Sequence, residues 1–287
     1  MAEQTRTKML GAICGDIAGS VYEFHNIKRV LPEEELIQDG ARFTDDSAMT
    51  LAVAVGLKNG LQSCGKRTGF TVEDKEIIRG EVQKSLRLYG HRYPRAGYGA
   101  AFCGWLYTEV PKPYNSWGNG SAMRASYAGW AAQTLEDAEL LGRLSAEVTH
   151  NHPEGIKGAV AVSGGIFTLL HSEGKDVAAR KEELARYEAR HYDLNLTLDE
   201  IRPYYCFDVS CQGSVPQAIR AFLEGNSYSE VIALAISIGG DSDTIAAIAG
   251  SLAEAVYPIP TQLRERALAR LDDTFKRELK DAVDFLK

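Results

Sequence analysis

The chain repeats its apolar residues at the three-to-four spacing of a helix, with alanine and glycine where bulky side chains would hold helices apart. Residues 48–57, 122–132, 135–148, 157–171 and 244–257 all read this way, and the chain carries 27 glycines. No strong run of alternating Val, Ile and Thr offers a central sheet, so the pattern predicts an all-α fold of closely packed helices. Thr197 with Glu200 and Ser227 with Glu230 have the spacing of capping boxes, in which a hydroxyl and a carboxylate satisfy orphan amides reciprocally. Pro258 and Pro260 are expected to stop the preceding helix. The least regular stretches, 59–71, 110–120 and 192–213, are too short and mixed for interdomain linkers, so one domain over residues 1–287 is expected.

At 287 residues such a chain can bury a deep pocket without oligomerising, and a monomer is expected. Thirty-nine acidic against 32 basic side chains give a formal charge of −7. With no Lys/Arg stripe either, an extended nucleic-acid surface or an anionic membrane is a poor partner. The longest nearly uninterrupted apolar run, 231–238, is far short of the roughly 20 residues of a membrane helix. The five cysteines form no CxxC pair and no signal-peptide core follows Met1, which predicts a reduced, cytoplasmic setting. Cys206 and Cys211 read as structural.

Two acidic clusters share one grammar. Thr44-Asp45-Asp46 and Asp241-Ser242-Asp243-Thr244, the latter after Gly239-Gly240, each stand just before a helical pattern. Capping and the helix dipole account for either cluster alone. A cap needs one oxygen, however, and each cluster brings two carboxylates and a threonine with no Lys or Arg immediately beside it. Crowded carboxylates repel unless protonated or bridged by a cation. If the two helix starts meet, four carboxylates and two hydroxyls form a hard oxygen set suited to Mg²⁺ or Mn²⁺ rather than Zn²⁺, with enough charge for two ions. EF-hand spacing is absent.

Asn115-Ser116-Trp117-Gly118-Asn119-Gly120-Ser121 runs into a helical stretch, where glycines would let backbone amides approach a phosphate or diphosphate; an ordinary Asn-Gly turn fits equally well. His150 and His152 end one helical pattern and precede the next, which suits helix capping, solvent or a hydrogen bond to a ligand better than metal ligation. Gly11, Gly15 and Gly19 share a helix face made for close packing, with Asp16 beside them. Glu23, one turn beyond, reads as a solvated carboxylate unless the fold brings it to the acidic clusters. The mixed charges of residues 175–190 read as a solvated helix face.

Taken together, these segments resemble the ADP-ribosylglycohydrolase family over nearly the whole chain. The resemblance rests on Gly11-Ala12-Ile13-Cys14-Gly15-Asp16-Ile17-Ala18-Gly19 followed by Glu23, then Phe43-Thr44-Asp45-Asp46-Ser47, Gly118-Asn119-Gly120-Ser121-Ala122-Met123-Arg124, Thr149-His150 and Gly239-Gly240-Asp241-Ser242-Asp243-Thr244, in the family's order. It implies a compact orthogonal bundle of many helices with a binuclear magnesium or manganese centre in a cleft for ADP-ribose. Thr44, Asp45, Asp46, Asp241, Asp243 and Thr244 then match the metal ligands. Asn115, Ser116, Trp117, Gly118, Asn119 and Gly120 match the loop under the diphosphate and distal ribose, and His150 a substrate contact. Glu23 resembles the glutamate of a segment that can close over the cleft, and with Asp45 and Asp243 it is expected to carry the chemistry. The implied reaction releases ADP-ribose from an ADP-ribosylated protein or other acceptor by cleaving the glycosidic bond at the distal ribose. The rival readings are a two-metal nucleotide phosphohydrolase and a non-catalytic ADP-ribose-binding or structural member.

Overall fold

A computed structural model describes residues 7–172 and 174–287, and among them the regular structure is helical, with no strand and one isolated bridge between Gly118 and Ser210. The helices are α1 (Leu10–Gly19), α2 (Glu33–Leu36), α3 (Asp45–Cys64), α4 (Val72–Arg92), α5 (Ala100–Tyr107), α6 (Ser126–Ala131), α7 (Leu135–Glu147) and α8 (Pro153–Leu170). They continue with α9 (Val177–Glu188), α10 (Leu198–Ile201), α11 (Cys211–Glu224), α12 (Tyr228–Ser237), α13 (Ser242–Glu254), α14 (Thr261–Leu268) and α15 (Asp273–Asp284). None of the described helices is long and apolar enough to cross a membrane.

The glycine face of α1 explains the centre of the bundle. Every residue of α1 is buried. A Cβ on Gly11 would lie 2.4 Å from the Gly250 carbonyl oxygen, one on Gly15 2.1 Å from that of Ala246, and one on Gly19 2.4 Å from the Asp243 Cα. The two backbones therefore touch along their length, antiparallel, because α1 has no side chains in the way. Their ends are joined chemically as well. Met9, before α1, has a φ of 69° and supplies no side-chain cap; Glu254 at the end of α13 does so instead, accepting from the Gly11 amide at 2.8 Å and the Thr7 hydroxyl at 2.8 Å. Burial pushes the Glu254 carboxyl up to about 7. At the other end the seam sets Gly19 directly against Asp243.

A second seam joins α3 to α4, where a Cβ on Gly56 would lie 2.6 Å from the Val82 Cα and one on Gly60 2.8 Å from that of Ile78. The start of α3 is capped by Thr44, which accepts from the Asp46 amide, and α4 begins in a full capping box of Thr71 and Asp74.

Several local expectations change. The Thr197–Glu200 box is complete, but Ser227 and Glu230 form half of one: the hydroxyl accepts from the Glu230 amide, while the Glu230 carboxylate takes the amide of Asn226. Residues 59–64 extend α3, which ends at Gly65 with a φ of 64°. The 122–132 stretch is helical only over α6, after a short 3₁₀ turn at Asn119–Ser121. The helix before the prolines ends already at Glu254, and Pro260 instead starts α14. On charged α9, Glu188 is not solvated: its side chain is fully buried with neither carboxylate oxygen hydrogen-bonded, and burial raises its carboxyl well above the usual range.

The seam makes a direct prediction. Gly15→Val should lower unfolding free energy by about 2 kcal/mol or more, because backbone rather than a rotamer must move. Gly80→Ala, in α4 with nothing within 4 Å of the added carbon, should instead stabilise by roughly 0.5–1 kcal/mol. Urea melts of the two variants measure both; a tolerated Gly15→Val would contradict the seam.

Candidate active site

The starts of α3 and α13 face each other beside the C-terminal end of α1. Asp16, on α1, fixes the first of them. Its buried carboxylate accepts from the Thr44 amide (2.9 Å), the Thr44 hydroxyl (2.7 Å), the Ser47 amide (3.0 Å) and the Ser47 hydroxyl. Four donors on one carboxylate lock the α3 start to the α1 seam, although burial still raises the Asp16 carboxyl above its ordinary value.

Asp46 ties the two starts together. Its Oδ2 accepts from the Thr244 hydroxyl at 3.2 Å, and its buried Oδ1 has no partner in the protein. Oxygens of Asp16, Asp46 and Asp243 lie within 4.8 Å of one another, and so do those of Glu23, Asp241 and Asp243. Asp243 thus belongs to two carboxylate triads. Asp45 lines the same cavity but belongs to neither triad.

The electrostatics follow from this crowding. Burial raises every one of these carboxyls, and neighbouring carboxylates add to the effect at Asp46 and Asp243, which lie well above the usual range. Asp45 rises to about 7 through burial and then Asp16; Glu23, half-buried, rises to about 7 through burial and then Asp241, with Arg42 easing it. Asp241 is raised by burial, partly offset by hydrogen bonds. An all-oxygen donor set, an orphaned buried oxygen and mutually destabilised carboxylates fit a hard divalent cation. Thr44 and Thr244 add hydroxyls to the same place.

The opposite wall comes from residues 114–124 and the end of α7. A cavity of about 420 Å³ runs between the walls and is lined by Ser116, Gly118, Asn119, Gly120 and His150, but not by Asn115 or Trp117. Asn115, at a φ of 54°, takes Asn151 Oδ1 through its amide at 2.7 Å, and exposed Trp117 packs edge-on against His152. The loop runs into a three-residue 3₁₀ turn at Asn119–Ser121 before α6 begins at Ser126, and the Gly118 and Asn119 amides are taken by Ser116 Oγ and the Val209 carbonyl. The Asn119 side chain turns to the acidic wall, donating to Asp241 Oδ2 at 2.6 Å and Ser214 Oγ at 2.8 Å. Cys211 is buried and bonds the Gly118 carbonyl, a structural role; Cys206 is exposed.

His150 is fixed by a relay. The buried Arg124 guanidinium donates to Thr149 Oγ1 at 2.7 Å, and that oxygen lies 2.7 Å from His150 Nδ1. The Nδ1 side of the ring is thereby held by Thr149, and Nε2 faces Gly118 and Gly120. A Cβ on Gly120 would sit 3.2 Å from that Nε2. Burial first and Arg124 second hold the ring well below its ordinary pKa, so it is neutral.

Sequence reasoning placed Asp16 only beside a packing face and gave Arg124 no role. The signal for Asp16 was its place in the glycine seam, one residue after Gly15. Phe24, Phe207 and Val209, which also line the cleft, carry no motif.

The model of the family described as ADP-ribosylglycohydrolase matches residues 2–286. The chain belongs to the ADP-ribosylglycohydrolase family. ADP-ribosylhydrolase ARH3 of Mus musculus is 27% identical over 318 residues, covering 87% of this chain and 82% of its own. The ADP-ribosyl-dinitrogen reductase glycohydrolase of Rhodospirillum rubrum is 24% identical over 301 residues, covering 96% and 93%. A solved ADP-ribosylglycohydrolase-related protein complex shares the fold, with a TM-score of 0.66 and 23% identity over 98% of this chain and 96% of that one. Membership of this family makes the chain a glycohydrolase.

Two outcomes follow for this ADP-ribosylglycohydrolase site. Glu23 and Asp45 hold protons up to about pH 7 when folded, against ordinary values of 4.5 and 3.8. Raised carboxyls make the metal-free fold lose stability as pH climbs from the unfolded to the folded value. A divalent cation must displace the same protons. The difference in melting temperature between saturating Mg²⁺ or Mn²⁺ and chelator should therefore widen from pH 5.5 to 8, and a constant gap would contradict the cation site. Asp16→Asn, which removes the negative charge and sets an NH₂ group against the Thr44 hydroxyl that donates to Oδ1, should weaken that cation binding by about 10–100-fold in calorimetry.

Proposed function

We propose that the chain hydrolyses the glycosidic bond at the anomeric carbon of the distal ribose in an ADP-ribosylated acceptor, releasing ADP-ribose, with two Mg²⁺ or Mn²⁺ ions at the acidic wall. The observation that carries this reading is the convergence of both helix-start clusters on one cleft in a chain of this family. The names of its relatives, an ADP-ribosylhydrolase and an ADP-ribosyl-dinitrogen reductase glycohydrolase, support the same substrate class.

Thr44, Asp46, Asp241, Asp243 and Thr244 would hold the ions, with Asp45 reaching them from the cavity wall. Bound divalent ions supply Lewis acidity that orients the ribose hydroxyls and lowers the pKa of an attacking water. The remaining work belongs to the protein. Departure of the acceptor leaves positive charge on the ribosyl ring, and the carboxylates of the two triads stand where that charge is stabilised. Glu23, with a pKa of about 7, exchanges a proton at neutral pH and has the position for proton transfer to or from the acceptor or water. The neutral His150 presents Nε2 beside the 116–120 loop, where it would orient the substrate without adding charge. Arg124, still cationic with its pKa pushed down to about 10, faces the same cavity and suits the anionic diphosphate side.

The test assays ADP-ribose release from acceptors of defined linkage with Mg²⁺ and Mn²⁺. Asp45→Asn and Asp243→Asn should each remove detectable turnover and weaken metal binding in calorimetry. Glu23→Gln should lower kcat by about 10²–10⁴-fold while ADP-ribose binding is largely kept. AMP in place of intact ADP-ribose would make the protein a phosphohydrolase, and full activity in Asp243→Asn would refute the two-ion reading.

A further inference from the structure

The turn that delivers Asp241 has an unusual backbone. Gly239 and Gly240, between α12 and α13, have φ values of 72° and 74°, two consecutive left-handed residues that only glycine adopts readily. The segment after Glu23 grips this turn from both sides. Asn26 Oδ1 accepts from the Gly240 amide at 3.2 Å, while Lys28 Nζ donates to the Ile238 carbonyl and, at 2.8 Å, to the Tyr205 carbonyl. Ile238 is the C-cap residue of α12, where a cation satisfies an otherwise orphaned carbonyl and meets the negative end of the helix.

The grip explains both glycines. A Cβ on Gly239 would fall 2.1 Å from Asn26 Oδ1 and 3.2 Å from Lys28 Nζ; one on Gly240 would fall 2.4 Å from the Tyr205 ring. Asn26 itself has a φ of 46°, which its short side chain tolerates while reaching across. Phe24, next to Glu23, stacks on Phe207 with centroids 6.0 Å apart, so the loop that contains Tyr205 is drawn into the same contact.

We propose that Asn26 and Lys28 are positioning residues that clamp the Glu23 segment to the Gly239–Gly240 turn, setting the Glu23 carboxylate in register with Asp241 and Asp243. The role rests on the reading of these carboxylates as one hydrolytic site. Neither clamp residue needs to touch substrate. Their bonds to Ile238 and Gly240 join two segments 210 and 214 residues apart in sequence, and releasing them frees Glu23 and Asp241 to move separately. Loss of register between groups that act together lowers the chemical step more than ground-state binding.

Asn26→Gly tests the hydrogen bond without backbone strain, since glycine keeps the positive φ and removes Oδ1. Lys28→Met removes the cation, and Lys28→Arg restores it with a side chain long enough for both carbonyls. Exchange of the Gly240 amide should become at least about tenfold faster in Asn26→Gly, a local opening visible by hydrogen exchange without any turnover. In Asn26→Gly and Lys28→Met, kcat should fall by about 10–100-fold with ADP-ribose affinity kept within about threefold, and Lys28→Arg should recover most of it. Unchanged Gly240 exchange, unchanged kcat, parallel loss of binding and rate, or an arginine variant no better than methionine would each overturn the clamp. If Lys28→Met does not fold, Asn26→Gly decides alone. A wild-type protein that releases no ADP-ribose from any acceptor would defeat the hydrolase reading instead, and the exchange measurement would still decide the clamp.

Discussion

Repulsion among buried carboxylates is the constraint around which this molecule is built. Two unit charges 4 Å apart would repel by about 4 kcal/mol at an effective dielectric constant of 20, and oxygens of Asp16, Asp46, Glu23 and Asp241 each lie within 4.8 Å of one on Asp243. Nothing in the side chains themselves favours this gathering. The arrangement exists because rigid backbone, already joined elsewhere, leaves the acids no freedom to separate. Burial raises their carboxyls, and the neighbouring carboxylates raise them further.

The rigidity begins with small residues. With glycine at 11, 15 and 19, α1 lies directly on α13, so the position of Asp16 relative to Asp243 is set by main-chain contact. Asp16 then captures the start of α3 through four donors, and Asp46 receives the Thr244 hydroxyl. Asn119 extends the same framework to the other wall by bonding Asp241. Together these connections make a corner of α1, α3 and α13 in which the buried Asp46 Oδ1 is left without a partner.

Helices and acidic clusters were legible because their information is local. Periodicity, a threonine cap and a run of glycines each occupy one stretch of chain and carry their physical meaning there. The function of Asp16 was not legible, since a lone acid beside packing glycines acquires its role only when Thr44 and Ser47 arrive from another helix. Glu23 was ambiguous for the same reason: a solvated carboxylate and a cleft carboxylate have identical sequence neighbourhoods. The 116–120 loop was legible in part. Its glycines marked a close approach whose partners include His150 and protein carbonyls, and a 3₁₀ turn intervenes before the helix that was expected to follow at once. Glu188 departs from the charge pattern of α9 because periodicity reports which face a residue occupies, not how deeply that face is covered.

Net charge describes this protein least well where its chemistry lies. The formal −7 is spread over the whole chain, whereas the cleft is polarised across its width, with the carboxylate triads on one wall and buried Arg124 beside neutral His150 on the other. Burial acts in opposite directions on the two walls, raising the acids toward protonation and lowering Arg124 to about 10. Because that value stays well above neutral pH, the arginine keeps its charge while the acids hold protons a cation can replace. A ligand that is anionic along one stretch and rich in hydroxyls along another matches both walls at once. The same polarity argues against a simple polyanion as partner, which would meet the acidic wall with like charge. The separation of charge within the cleft depends on the contacts holding α1, α3 and α13 in place.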